Sequence, residues 1–114
     1  MESQGFYKEL YRGKLTGVSF EPARSGIIWL FDTVVNYDDI ILTMFHDSEN
    51  KYDKNAIRVY SQYNGETKEV GWIPKEVNKS VLQCGLENAN VKFLGFNMKD
   101  ANPVGIDVVV YVGC

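Results

Sequence analysis

Apolar residues recur along this chain in two rhythms, and the switches between them lay out its elements. Leu15, Val18 and Phe20, with Thr16 among them, predict a strand over 14–20. Gly17 inside it marks a bulge or a close approach of another backbone or ligand. The residues before it carry little signal, and 1–6 read as a tail or a weak first strand. Glu21 to Gly26 is a turn, since Pro22 cannot continue a ladder. Ile27, Ile28, Phe31, Val34 and Val35 then return at helical spacing, with Ser25 placed to cap the start, which predicts a helix over 25–35. The β-branched residues there leave a strand as the alternative.

Asn36-Tyr-Asp-Asp39 breaks the rhythm, and the run from Ile40 to His46 predicts a strand buried on both faces or nearly so. A polar loop separates it from a strand through Ala56, Ile57, Val59 and Tyr60. Tyr63-Asn-Gly-Glu66 predicts a hairpin, because Asn-Gly readily takes the positive φ values of such turns, and a strand over 67–73 follows. Pro74 opens a second helix over 74–84, whose apolar stripe of Val77, Val81 and Cys84 ends at Gly85. Val91, Phe93, Leu94 and Phe96 give a further strand, Val104 to Val112 the last, and Asn97 to Pro103 a mobile connection between them. Six or so strands with two short helices and no βαβ alternation predict a mainly β (α+β) fold, a small antiparallel barrel rather than a layered α/β sheet.

Length and charge narrow the function classes. At 114 residues the chain fits a single domain over 1–114, burying about two thirds of its unfolded surface, enough for a core without metals or disulfides. Its formal net charge of −3 argues against generic, charge-driven nucleic-acid binding and leaves room only for a local site. No apolar run spans a bilayer, and Met-Glu-Ser-Gln-Gly lacks the basic and apolar regions of a signal peptide, so a cytoplasmic protein without membrane contact is expected. Cys84 and Cys114 belong to no metal or redox motif, and free thiols are expected at both.

The chemistry concentrates between Asp47 and Tyr60. Asp47, Asn50, Asp53 and Asn55 tolerate left-handed backbone angles and bond neighbouring amides, so they specify a tight, self-bonded loop. Tyr52 in that loop is equally a buried anchor or an exposed stacking face, and Trp72 equally core or site. Counted from Asp47, the sixth and twelfth places of a calcium loop hold Tyr52 and Arg58 instead of glycine and glutamate, so that motif fails. No glycine-rich phosphate loop occurs, and Cys84 falls on a helix stripe where it serves as a small hydrophobe. These residues point to a non-catalytic protein with no cofactor and no metal.

The segment Asn50-Lys-Tyr-Asp-Lys-Asn-Ala-Ile-Arg-Val59, followed about ten residues later by Val70-Gly-Trp-Ile-Pro-Lys-Glu76, resembles the HIRAN domain. That family reads roughly N-P-Y-D-x-N-A-I-x-V and then G-Y-I-P-[RK]-x, and the resemblance extends more loosely over nearly the whole chain. It implies a barrel related to OB folds. HIRAN domains occur alone in bacterial and phage proteins and fused to helicase motors that remodel stalled forks, and studied fused members bind the 3′ end of single-stranded DNA. By motif position, Asn50, Tyr52 and Asp53 correspond to the loop that receives the terminal nucleotide, and Asp53 to the carboxylate that contacts the 3′-hydroxyl. An ionised carboxylate accepts a hydroxyl's hydrogen bond and repels a phosphate, so it selects an unblocked end. Phe20 corresponds to an aromatic platform, Lys75 to a phosphate-contacting cation, and Trp72 replaces a tyrosine or histidine. Phe93 or Phe96 would complete the stack. Lys51 stands where the family has proline, and Ser19 and Glu21 where DNA-binding members carry basic or aromatic residues.

The resulting expectation is a single-stranded DNA-end binding module in repair or replication, working alone or beside a helicase or other DNA-processing protein through Phe20, Asn50, Tyr52, Asp53, Trp72 and Lys75. One rival is a protein-interaction domain in which the loop is a structural clasp and Tyr52 packs inward. A second is a metal-dependent nuclease using His46, Asp47 and Asp53.

Overall fold

A computed structural model describes residues 7–114; the tail assigned to 1–6 lies outside them. The elements run β1 (Lys8–Lys14), α1 (Ala23–Thr33), β2 (Ile41–His46), β3 (Ile57–Tyr63), β4 (Glu66–Trp72), α2 (Lys75–Cys84), β5 (Ala89–Lys99) and β6 (Asn102–Val112), with single 3₁₀ turns at Tyr37–Asp39 and Leu86–Asn88. All strand pairs are antiparallel. They form two three-stranded sheets, in the orders β1-β6-β5 and β2-β3-β4.

The six strands and two helices of the expected mainly β fold are therefore present, but no closed barrel is found among the described residues. What joins the sheets is the stretch after β1: Leu15 donates its amide to Ile106 of β6, and Thr16 exchanges two backbone bonds of 2.9 Å with Trp72 of β4. One apolar core lies between the sheets, built from Ile57 and Val59 of β3, Val70 of β4, and Ile106, Val108 and Val110 of β6, all fully buried. α1 adds Ile27 and Leu30, and α2 adds Val77 and Val81. Gly26 lets α1 sit directly on β4, where any Cβ would run into the Glu69 carbonyl.

Four expectations are corrected. The first strand is 8–14, not 14–20, and Phe20 is not on it: at Leu15 and Thr16 the chain leaves one sheet for the other, and residues 17–20 turn into α1, with Arg24 N–H bonded to Phe20 C=O. β2 is not buried on both faces. Leu42 is buried, whereas Ile41, Thr43 and Phe45 are exposed, so β2, at the edge of its sheet, turns only one face to the core. Residues 97–103 are an ordered hairpin: β5 and β6 stay paired as far as Lys99 and Asn102, around a two-residue tip in which Asp100 and Ala101 take φ of 52° and 66°. Cys84 and Cys114 are not free thiols; a disulfide joins them across 5.5 Å between Cα atoms, a usual spacing for one.

The helices and the Asn-Gly hairpin follow the sequence closely. Asn64 and Gly65 have φ of 54° and 79° at the β3–β4 turn, and α2 starts after Pro74 and stops at Gly85. α1 starts two residues before the predicted helix. Ser25 does not cap it; the Ser25 amide instead donates to the Glu21 carboxylate at 3.0 Å.

Candidate nucleic-acid interface

The loop between β2 and β3 is closed by the Asp47 amide bonding Ala56 C=O at 2.9 Å, and shaped inside by Asn50 to Asp47 and Ala56 to Asp53 backbone bonds. Asn50 is its hub: Oδ1 accepts from the amides of both Tyr52, at 2.9 Å, and Asp53, at 3.0 Å. Asp53 Oδ1 in turn accepts from the Asn55 amide at 2.9 Å. These are the side-chain-to-backbone bonds that Asn and Asp make in preference to regular structure. With the backbone so tied, the Tyr52 side chain stays out of the core and the residue is 93% exposed.

A chain of charges anchors the loop to the sheet. Arg58, whose cross-strand partners are Phe45 and Trp72, donates to Asp47 at 3.0 Å and to the buried Glu69 at 3.0 Å, and its guanidinium lies 4.7 Å from the Trp72 ring centre. The hydrogen bond from Arg58 holds the Asp47 carboxyl below its ordinary 3.8, against a smaller opposing effect of desolvation, and the Asn50 amide adds to the lowering. Trp72 also meets Gly17, at φ 68°, where a Cβ would lie 2.5 Å from the indole Cδ1. The glycine of the sequence reading thus marks the close approach of a side chain, the indole itself.

Between loop, sheet and α2 lies a shallow, widely open cavity of about 310 Å³ lined in part by Asn50, Tyr52, Asp53, Trp72 and Lys75. Five of the six expected site residues are therefore brought together. Phe20 is not among them: it is 72% exposed on the turn after Gly17 and does not line the cavity. Phe93 and Phe96 do not complete a stack there either. They pack edge to face on each other and on Tyr37, with Phe31 against Phe96, in a separate aromatic cluster. A larger hollow of about 670 Å³ lies elsewhere, between α1 and the β5–β6 tip, and shares no residue with this one.

The nuclease triad does not form. His46 Nε2 sits 2.8 Å from Lys54 C=O, to which a ring N–H there donates, Asp47 is held by Arg58, and no group of three acidic, histidine or cysteine residues able to hold a metal occurs among the described residues. Two contributors went unnoticed in the sequence. Thr16 enters the wall through the sheet-joining bridge, which only tertiary pairing reveals. Asn78 is 3% exposed on α2 and donates Nδ2 to Asp53 Oδ2 at 3.2 Å. Its signal was an uncharged polar residue flanking the apolar stripe of a short helix.

The family model described as the HIRAN domain matches residues 8–113. No curated protein and no solved structure matches the chain.

Proposed function

Because the chain belongs to the HIRAN domain family, whose members are generally DNA-binding modules, we propose that it is a non-catalytic module that binds the free 3′-hydroxyl end of single-stranded DNA in the cavity beside Tyr52. The observation that carries this reading is the exposed Tyr52 ring at the rim of a cavity that also presents the Asp53 carboxylate. Each Asp53 oxygen accepts one protein bond, which leaves lone pairs for a ligand hydroxyl. Tyr52 offers an open face for stacking, Trp72, with Arg58 over its ring, walls the cavity, and Lys75 is the cation at the rim. Arg58 contributes little net charge, since two carboxylates already neutralise it.

Stacking and one carboxylate–hydroxyl bond suit an acidic protein, because neither needs a basic surface. The clasp of the rival reading is present in the bonds of Asn50 and Asp53, but its inward-packed Tyr52 is not. On this reading the module serves DNA repair or replication, beside a helicase or another processing enzyme that acts on the same ends.

Fluorescence anisotropy tests this with one oligonucleotide carrying either a 3′-hydroxyl or a 3′-phosphate. Preference for the hydroxyl, abolished in Asp53→Ala, is expected, with an affinity that falls only shallowly with salt because few phosphates are contacted. Equal binding of both ends, lost steeply with salt, would contradict it.

A further inference from the structure

Asn78 holds an unusual position for an amide. It is 3% exposed, lies on α2 beside the buried Val77 and one turn beyond Lys75, and lines the same cavity as the loop. Its Nδ2 reaches Asp53 across 25 positions of sequence, whereas its Oδ1 is buried with no hydrogen-bond partner among the described residues. A buried amide carbonyl without a donor costs stability, and that cost offsets what the bond to the carboxylate contributes. The fold therefore gains little from an asparagine here, and an apolar side chain of the same shape would serve the core as well. What the asparagine does supply is a second fixed point for the carboxylate. Asp53 Oδ1 is held by the Asn55 amide from within the loop, and Oδ2 by Asn78 from the helix. With both oxygens held, the plane of the carboxyl group is set relative to Trp72 and Lys75, which flank α2's start.

We propose that Asn78 is a positioning residue that sets end selectivity: it locks the Asp53 carboxylate in the orientation that accepts a terminal hydroxyl and turns away a terminal phosphate. This rests on the end-binding reading above. Without Asn78 the carboxylate keeps only the Asn55 amide as an anchor, its plane turns about that one bond, and its bond to a ligand hydroxyl is made only part of the time.

The test compares wild type and Asn78→Leu, nearly isosteric and apolar, on the 3′-hydroxyl and 3′-phosphate oligonucleotides, with a thermal melt of each protein. Asn78→Leu is expected to melt at or above the wild-type temperature and to lose affinity for the hydroxyl end by about tenfold, the worth of one hydrogen bond to a charged group. Binding to the phosphate end is expected to change by less than about twofold, so that the ratio between ends collapses. Asn78→Ser, too short to reach Asp53, is expected to give the same collapse and secures the comparison if leucine does not fold. A lower melting temperature with equal losses on both ends would make Asn78 a structural clasp and overturn the proposal. A hydroxyl preference that survives in both variants would overturn it too, leaving the end-binding reading intact. A wild type without preference would overturn both.

Discussion

Tyr52 has its amide bonded to Asn50 while its ring is almost fully exposed, so rigidity of the loop and availability of the ring are set by different atoms of one residue. Tyr52→Ala is accordingly expected to leave the unfolding free energy within about 0.5 kcal/mol of wild type, as for exposed positions generally. Its affinity for a single-stranded end should fall by about 1–3 kcal/mol, the cost of losing one base–aromatic stack, readable by anisotropy beside a denaturant titration. Loss of stability without loss of affinity would contradict the stacking role. The polar character of the loop and its self-bonding were legible from Asp47, Asn50, Asp53 and Asn55. The direction of the Tyr52 ring was not, because composition leaves anchor and platform equal, and the bonds of Asn50 decide between them. Phe20 shows the limit of matching residues by motif position: its aromatic type fits a platform, but the turn that follows Gly17 carries it clear of the cavity.

Among the elements, the turn 17–20 matters most to the site, since Gly17 is in contact distance of the indole that walls the cavity. Gly17→Ala adds a Cβ to a left-handed backbone position and into the Trp72 ring at once. We expect it to destabilise the protein by about 1–3 kcal/mol and to shift the tryptophan emission, whereas an unchanged spectrum would place the indole elsewhere. Helices and the Asn-Gly hairpin were legible because stripe, proline, glycine and turn chemistry agree locally. β1 was not: Lys-Glu-Leu-Tyr-Arg-Gly-Lys, at a sheet edge, buries little and shows no clear apolar alternation. Nor was the far end of the β5–β6 hairpin, where Asn, Asp and Pro suggest a loop but cross-strand pairing, with Asn97 Nδ2 bonded to Asp107 Oδ1 at 3.2 Å, keeps the strands together.

On the scale of the whole molecule, local rhythm shows how many strands there are and leaves open which pair. The division into two sheets joined at Thr16 and Trp72 depends on contacts more than fifty residues apart. The disulfide was illegible for the same reason: Cys84 ends α2 and Cys114 ends the chain, and only the return of β6, with the Gly113 amide on Asn88 C=O at 2.8 Å, brings them together. Cys114→Ser opens a loop of 30 residues and is expected to cost about 3–4 kcal/mol in a chain-entropy estimate, measured by denaturation, with end binding unchanged because the bridge lies at the opposite end of α2 from Lys75. An equal loss of binding would tie the two ends of the helix together functionally. The central claim is that the cavity between the 47–55 loop, Trp72 and α2 receives the DNA end. Its most direct test is a two-dimensional NMR titration of the labelled protein with a short single-stranded oligonucleotide bearing a free 3′-hydroxyl. The expected result is a set of shifts confined to the amides of Asn50–Asn55, the Trp72 indole N–H and the side-chain amide of Asn78. Shifts centred instead on the hollow between α1 and the β5–β6 tip, or scattered over the surface, would contradict it.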